Sequence, residues 1–359
     1  MKKITLLTVF LFAIAFSTSA QIDFSLEDKS NSKLLIKMDS LIANGNYDDI
    51  TSVLVIKDSK LIYEKYYQEK DSSSLHNTRS ATKSIATILA GIAIDKGYIT
   101  SEKDKIYKYL SSNLPVDNPD PRKDSITIED LLTMSSVLEC DDWNNHSRGH
   151  EERMYFIEDW TQFLLDLPVR AYPFNGPPSE RPYGRAFGYA SAKAAAVGDI
   201  VERAVGEKLD GFLKTQLLEP LEIDDYKLDY SPLGVLNTAG GSGYRSRDFA
   251  KMIQLLLNNG RWNDKQIVSS EWVEKATTPK AHAYDIYDYG YFLWLRNFGK
   301  ENQYKAFYMN GNGGNHIMAI PELDLCIVIT ATNYNNRNAH DYSYELTSKF
   351  IIPSIEKDN

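Results

Sequence analysis

Only two cysteines, Cys140 and Cys326, stand in 359 residues, which excludes a disulfide-built scaffold and a cysteine-rich metal module. Residues so far apart in sequence pair only if the fold brings them together, so two buried thiols are expected. No Gly- or Ser-rich linker and no internal repeat divides the chain. Basic charge is short as well: 40 Lys and Arg face 49 Asp and Glu, a formal net charge of -9. A nucleic-acid partner is therefore disfavoured, because phosphate binding needs a basic surface. Long apolar runs are confined to the N-terminus, where Lys2 and Lys3 precede an apolar stretch from Leu6 to Phe16 and the small residues Ser17, Thr18, Ser19 and Ala20. This is the pattern of an export signal peptide (residues 1–20) cut after Ala20, too short to span a bilayer and followed by no cysteine that would take a lipid. A periplasmic or secreted protein without a membrane span is expected, and loss of the two lysines takes the net charge from -9 to -11.

What remains is ordinary globular usage, 43% hydrophobic, 12% aromatic and 25% charged, enough for a sizeable core. Residues 53–56 and 61–63 are aliphatic, β-branched or aromatic and flank the turn formers Asp58 and Ser59, which predicts a hairpin. Residues 305–309, 316–320 and 325–330 predict an antiparallel meander. Between these sheet regions the helical period prevails: Thr127 is expected to cap a helix over 128–138 and Ser246 one over 247–259 that Gly260 stops, with others over 151–167, 192–205 and 209–218. The simplest architecture is α/β of the α+β type. One antiparallel sheet (about 45–100 and 286–359) is flanked by helices, including one over 340–352, and a helical lobe (about 101–285) is inserted in a single catalytic domain, residues 21–359. A cleft between sheet and lobe is the natural site.

The most informative segment is Arg79-Ser80-Ala81-Thr82-Lys83-Ser84, which opens an apolar helix rich in small residues. Ser80 would sit over the positive end of the helix dipole, with Lys83 three residues on and on the same face. Desolvation by that helix would lower the lysine pKa, as a base for the serine hydroxyl requires. Spacing alone is weak, since Ser-x-x-Lys also occurs at Ser30 to Lys33 and Ser354 to Lys357 in polar terminal segments. On spacing alone Ser80 reads equally as an N-cap beside a snorkelling lysine.

Ser-x-Thr-Lys at the head of a small-residue helix resembles the β-lactamase-related, penicillin-recognising serine hydrolases: class C β-lactamases, related esterases and D-amino-acid peptidases, and 6-aminohexanoate-dimer hydrolases. Residues 126–139 resemble the stretch that follows the family's nucleophile helix. Tyr189-Ala190-Ser191 stands near the place of its Tyr-x-Asn or Tyr-x-Ser, Glu219-Pro220-Leu221-Glu222-Ile223 resembles its Pro-Leu-Gly-Ile turn, and Gly311-Asn312-Gly313-Gly314-Asn315 resembles its closing hairpin. The resemblance covers about residues 50–335. It implies a β-lactamase/transpeptidase-like fold and a cofactor-free acyl-enzyme on Ser80. Lys83 and Tyr189 would be the proton-handling pair, with a Tyr189 phenolate near Lys83 as shuttle, and the backbone N–H groups of Ser80 and about Asn312 the oxyanion hole, with Gly313 close by. Ser191 would support the lysine or be a plain loop serine.

Two departures stand out. The family's Pro-Gly ahead of the tyrosine is replaced by Arg181-Pro182-Tyr183-Gly184-Arg185-Ala186-Phe187-Gly188, which leaves Tyr183 as the alternative tyrosine. No Lys-Thr-Gly precedes the last hairpin, where the strand reads Ala306-Phe307-Tyr308-Met309-Asn310. That lysine helps hold the substrate carboxylate in β-lactamases, so its absence argues against penicillin, and the hairpin is closer to the aminohexanoate-dimer-hydrolase branch. Glu139, Asp141 and Asp142, if they border the cleft, would favour a substrate with an amino group.

Other constellations carry less. His146 and His150 have helical metal-ligand spacing but lie in a polar loop without the His-Glu-x-x-His order, so no metal is expected. Gly240-Gly241-Ser242-Gly243-Tyr244 lacks the last glycine of a nucleophile elbow. Trp143, Tyr287 and Trp294 either line the cleft or pack the lobe. The sequence thus points to an exported amidase, esterase or peptidase acting on a small-molecule or peptide substrate. The alternative is a non-catalytic ligand-binding or peptidoglycan-sensing module on the same scaffold.

Overall fold

In the computed structural model, residues 21–25, 32–171 and 177–356 are described; the signal peptide expected over 1–20 lies outside them. An eight-stranded antiparallel sheet is built from β1 (Ile50–Lys57), β2 (Lys60–Tyr66), β3 (Ala281–Tyr284), β4 (Tyr287–Tyr289), β5 (Trp294–Phe298), β6 (Tyr304–Gly311), β7 (Asn315–Ile320) and β8 (Leu325–Ala331). Its spatial order is β2, β1, β8, β7, β6, β5, β4, β3, so the terminal strands join as the sequence predicts, with Leu54 opposite Val328 and Asn310 opposite His316. Asp58 and Ser59 both take positive φ, 51° and 58°, in the tight turn between β1 and β2. β7 and β8 are buried along their whole length, which explains their continuous apolar sequences. The sheet takes in β3, which starts five residues ahead of the expected boundary at 286.

Helices α1 (Lys33–Ala43), α2 (Lys83–Asp95), α3 (Ile128–Leu132), α4 (Glu151–Met154), α5 (Trp160–Asp166), α6 (Ser191–Val205), α7 (Leu209–Leu213), α8 (Ser246–Leu257), α9 (Ser270–Thr277), α10 (Ala339–Glu345) and α11 (Ile352–Glu356) complete the described elements of this kind. Several end earlier than their periodicity suggests. Thr127 caps α3 in a reciprocal capping box with Asp130, but the helix stops at Leu132 and Met134 takes φ 55° instead of continuing to 138. The helix expected over 151–167 is two, because Asp159 starts a new one by accepting from the Gln162 N–H. Ser246 is helical rather than a cap, and its hydroxyl meets that of Ser52 on β1 at 2.7 Å.

Helix α2 sets the site. Every residue from Lys83 to Ala93 is buried, and its small residues admit close neighbours: a Cβ on Gly91 would lie 2.2 Å from the Trp272 ring. The Trp272 indole N–H in turn reaches the Thr87 carbonyl at 2.9 Å. Helix α6 packs alongside α2, which carries the start of α6, and Tyr189 just ahead of it, to the head of α2. Cys140 and Cys326 are both free and buried, as expected.

Candidate active site

Ser80 lies in a 3-10 turn, Arg79–Thr82, that feeds directly into α2. Arg79 holds φ 55°, a strained value for a non-glycine residue, and is fixed by its N–H on Asn77 Oδ1 and by its guanidinium 4.2 Å above the Tyr334 ring. Strand β6 runs so close to this turn that a Cβ on Gly311 would sit 1.7 Å from the Thr78 carbonyl oxygen. Only glycine permits that approach. Asn312, one residue further, lines the same cleft as Ser80. Gly313 takes φ 94°, where a Cβ would lie 2.9 Å from the Tyr334 ring, so the glycine that approaches the nucleophile turn is Gly311.

Lys83 is 1% exposed. Its Nζ donates to Ser80 Oγ at 2.8 Å and to the Ala239 carbonyl at 2.6 Å. Burial lowers its pKa from the usual lysine range, against the pull of Glu151 and Asp142. A neutral amine at this distance can take the serine proton along the same contact. Tyr189 is buried and lines the same cleft as Ser80, and Lys83 Nζ lies 5.1 Å from its ring centre. Burial, Asp142 and Glu151 all push the Tyr189 pKa up, with only Ser80 opposing. The resting residue is thus a phenol rather than the expected phenolate. Tyr183 is half exposed and donates to Asp288 at 2.8 Å, and Tyr189, not Tyr183, lines the cleft with Ser80.

The chain replaces the family's Pro-Gly ahead of Tyr189 with polar anchors. Arg185 pairs with Asp130 at 2.6 Å and also with Glu129. The Gly188 N–H donates to the Met134 carbonyl at 2.8 Å, and the fully buried Lys193 donates to the Gly188 carbonyl at 2.5 Å.

Ser191, the first residue of α6, is engaged by other partners than Lys83. Its hydroxyl donates to Glu151 Oε2 at 2.5 Å and its N–H to Asp142 Oδ2 at 2.6 Å. Asp142 thereby serves a helix terminus that Ala190 cannot cap. Its other oxygen accepts the Glu151 N–H at 2.9 Å. Burial and the neighbouring Glu151 push Asp142 up to about 6. Of the three carboxylates singled out in the sequence, only Asp142 lines the cleft. Glu139 is taken up by Ser147 and Arg148, and Asp141 by the Trp143 N–H.

The cleft holds about 650 Å³ and is lined by Ser80, Asn310 and His340 as well as by carboxylates and aromatic rings. Glu151 and Glu152, which in sequence stand only beside the histidine pair His146 and His150, join Asp142 on the helical side at the start of α4. Trp143 stacks on Tyr189 with ring centres 5.6 Å apart and planes at 5°, and lies 6.1 Å from Trp294. Trp143 and Trp294 line the cleft, whereas Tyr287 packs against Tyr284, Trp294 and Arg296. His150 also borders the cleft, with Nδ1 accepting the Glu152 N–H. Among the described residues no group of three or more His, Cys, Asp or Glu could hold a metal ion, and no helix is long and apolar enough to cross a membrane.

Residues 50–347 match the beta-lactamase family. No protein of curated function matches the chain. Among solved structures it is similar to a Bacillus anthracis protein described as a 6-aminohexanoate-dimer hydrolase, at 16% identity and a TM-score of 0.71 over 89% of this chain and 82% of that one. It is also similar to the octameric penicillin-binding protein homologue from Pyrococcus abyssi, at 19% identity and a TM-score of 0.65 over 90% and 80% of the two chains. A mutant simvastatin synthase from Aspergillus terreus has a TM-score of 0.68 at 15% identity, over 90% of this chain and 98% of that one. At such identities these likenesses establish the β-lactamase/transpeptidase-like fold.

Proposed function

The chain belongs to the beta-lactamase family of serine hydrolases, and from that premise we propose that it is an exported amidase or esterase that cleaves amine-bearing substrates through an acyl-enzyme on Ser80. The observation that carries the reading is the contact of 2.8 Å between Lys83 Nζ and Ser80 Oγ inside a buried helix end. Neutral Lys83 takes the Ser80 proton as Oγ attacks the carbonyl. Tyr189, protonated at rest, passes its proton to the leaving group, recovers one by way of Lys83, and assists the water that clears the acyl-enzyme. The N–H groups of Ser80 and Asn312 would stabilise the oxyanion. A non-catalytic sensing module would have no use for a lysine buried against a serine hydroxyl.

The cleft's charge supports the substrate class. Asp142, Glu151 and Glu152 lie beside the Trp143, Trp294 and Tyr284 rings, and among the described residues no lysine or arginine lines the wall. A cation is held there by carboxylates and ring faces together, whereas a carboxylate meets like charge. The test is a matched pair of short amides or esters, one with a free amine and one with a free carboxylate, assayed at low and high salt. The amine partner should have the higher kcat/KM, by about tenfold at low salt and less at high salt. Equal rates, or preference for the carboxylate, would remove the substrate assignment. Loss of p-nitrophenyl ester hydrolysis in Ser80→Ala tests the mechanism separately.

A further inference from the structure

A titratable side chain that the proposed mechanism does not use also reaches the cleft, backed by a second one behind it. His340, near the start of α10, lines the cleft together with Asn310 and Asn312. Its Nδ1 is 3.1 Å from Nε2 of the fully buried His316 on β7. The ring centres are 5.3 Å apart with planes at 12°. With two nitrogens this close, that is the geometry of nearly coplanar rings meeting edge to edge through a hydrogen bond, not of rings lying face to face. With Nδ1 engaged, Nε2 is the nitrogen His340 has left for the cleft.

Which of the two nitrogens carries the shared proton follows from the rest of the chain of contacts. His316 Nδ1 and Asn310 Oδ1 are both buried and have no hydrogen-bond partner among the described residues, and the two residues are cross-strand partners in the β6–β7 pair. A proton on His316 Nδ1 would give Asn310 Oδ1, on the cross-strand neighbour, the donor it lacks. A lone pair there would leave the carboxamide oxygen, as it is placed, without a donor. His316 then accepts at Nε2, His340 donates from Nδ1, and His340 Nε2 is bare. Burial keeps both imidazoles below the usual histidine range, reinforced at His316 by His340 and Arg296 and opposed at His340 by Asp341. That direction favours the neutral imidazoles, in which the lone pair is available.

We propose that His340 is a specificity-determining residue whose Nε2 lone pair accepts a hydrogen bond from an amide N–H of the substrate, and that His316 and Asn310 position it by fixing its tautomer. An ester offers no such donor and leaves the imidazole acceptor desolvated and unpaired, so the site favours amides over the matching esters. The inference deepens the substrate class proposed above, and it rests on that reading only in taking the bound molecule to be substrate.

The experiment separates binding from chemistry. In the Ser80→Ala protein, the Kd of alanyl-alanine is compared by calorimetry with that of its depsipeptide, alanyl-lactate, with and without His340→Leu. With His340 present the amide should bind about tenfold more tightly, and in His340→Leu the ratio should fall to near one. Equal binding with His340 present, no measurable binding of the dipeptide, or a ratio that survives the substitution would overturn the proposal. Long-range 15N–1H spectra of the unsubstituted protein provide a second readout that does not depend on how the variant folds. Both His316 and His340 should appear as Nδ1–H tautomers, and an Nε2–H signal for His340 would contradict the assignment. Positioning by His316 is read in the same spectra, since His316→Leu should release His340 to the mixed tautomers of a free imidazole. Ester hydrolysis by the wild-type protein reports on the serine-hydrolase reading alone, so the two can fail independently.

Discussion

Ser80 and Lys83 are separated by one helical turn, and that spacing is legible in sequence because their contact is local. The structure adds what spacing cannot: the Lys83 amine is buried, and among the described residues its hydrogen-bond partners are Ser80 and the Ala239 carbonyl. Lys83→Met keeps the apolar stem and removes the amine, so acylation should fall by about a thousandfold or more while the fold survives, measured as the burst of p-nitrophenol. Normal turnover in that variant would make Lys83 structural. Asp142 yields a pH prediction. Its folded pKa of about 6 lies above the value of about 3.9 expected for an unfolded aspartate. Ionisation is therefore disfavoured in the fold, and the stability that this group contributes is fully present below about pH 4 and lost as pH rises toward 6. The same titration removes negative charge from the cleft as pH falls through 6. KM for an amine substrate should rise below that pH, and KM for a neutral ester should not. Parallel changes in both would place the titrating group elsewhere.

At the scale of elements, the hairpin at 53–63 and the meander at 305–330 are legible because alternation and turn chemistry are local signals. Helix ends are less so. Nothing in residues 128–138 announces the positive φ of Met134, and the break between α4 and α5 is made by an aspartate cap inside a continuous helical period. The Asp142, Glu151 and Ser191 cluster was partly hidden for a different reason: its hydrogen bonds join residues up to 49 apart, and no pattern within a window reports them. Strands β3 to β5 hide among aromatics that serve the cleft and the core alike. The close approach of β6 to the nucleophile turn gives a direct test. Gly311→Ala forces a Cβ into the Thr78 carbonyl. It should cost about 1 to 3 kcal/mol of stability by denaturant unfolding and lower kcat for ester hydrolysis by about a hundredfold, because a small displacement misplaces the oxyanion donors. An alanine variant with unchanged kcat would show that β6 does not set the site. Gly91→Ala, which meets the Trp272 ring, should lose comparable stability and keep kcat in the folded fraction.

For the whole molecule, the account joins a sheet built from both ends of the chain to helices that bring carboxylates and aromatic rings to the nucleophile. The proposal of export makes its own prediction: the mature protein recovered outside the cytoplasm should begin at Gln21, read by N-terminal sequencing, and an intact Met1 would contradict it. The most direct test of the central claim is covalent. The wild-type protein is treated with a fluorophosphonate and the adduct located by mass spectrometry. The account predicts one adduct, on Ser80, absent from Ser80→Ala and strongly slowed in Lys83→Met. A folded protein that remains unlabelled, or carries its adduct on another residue, would contradict it.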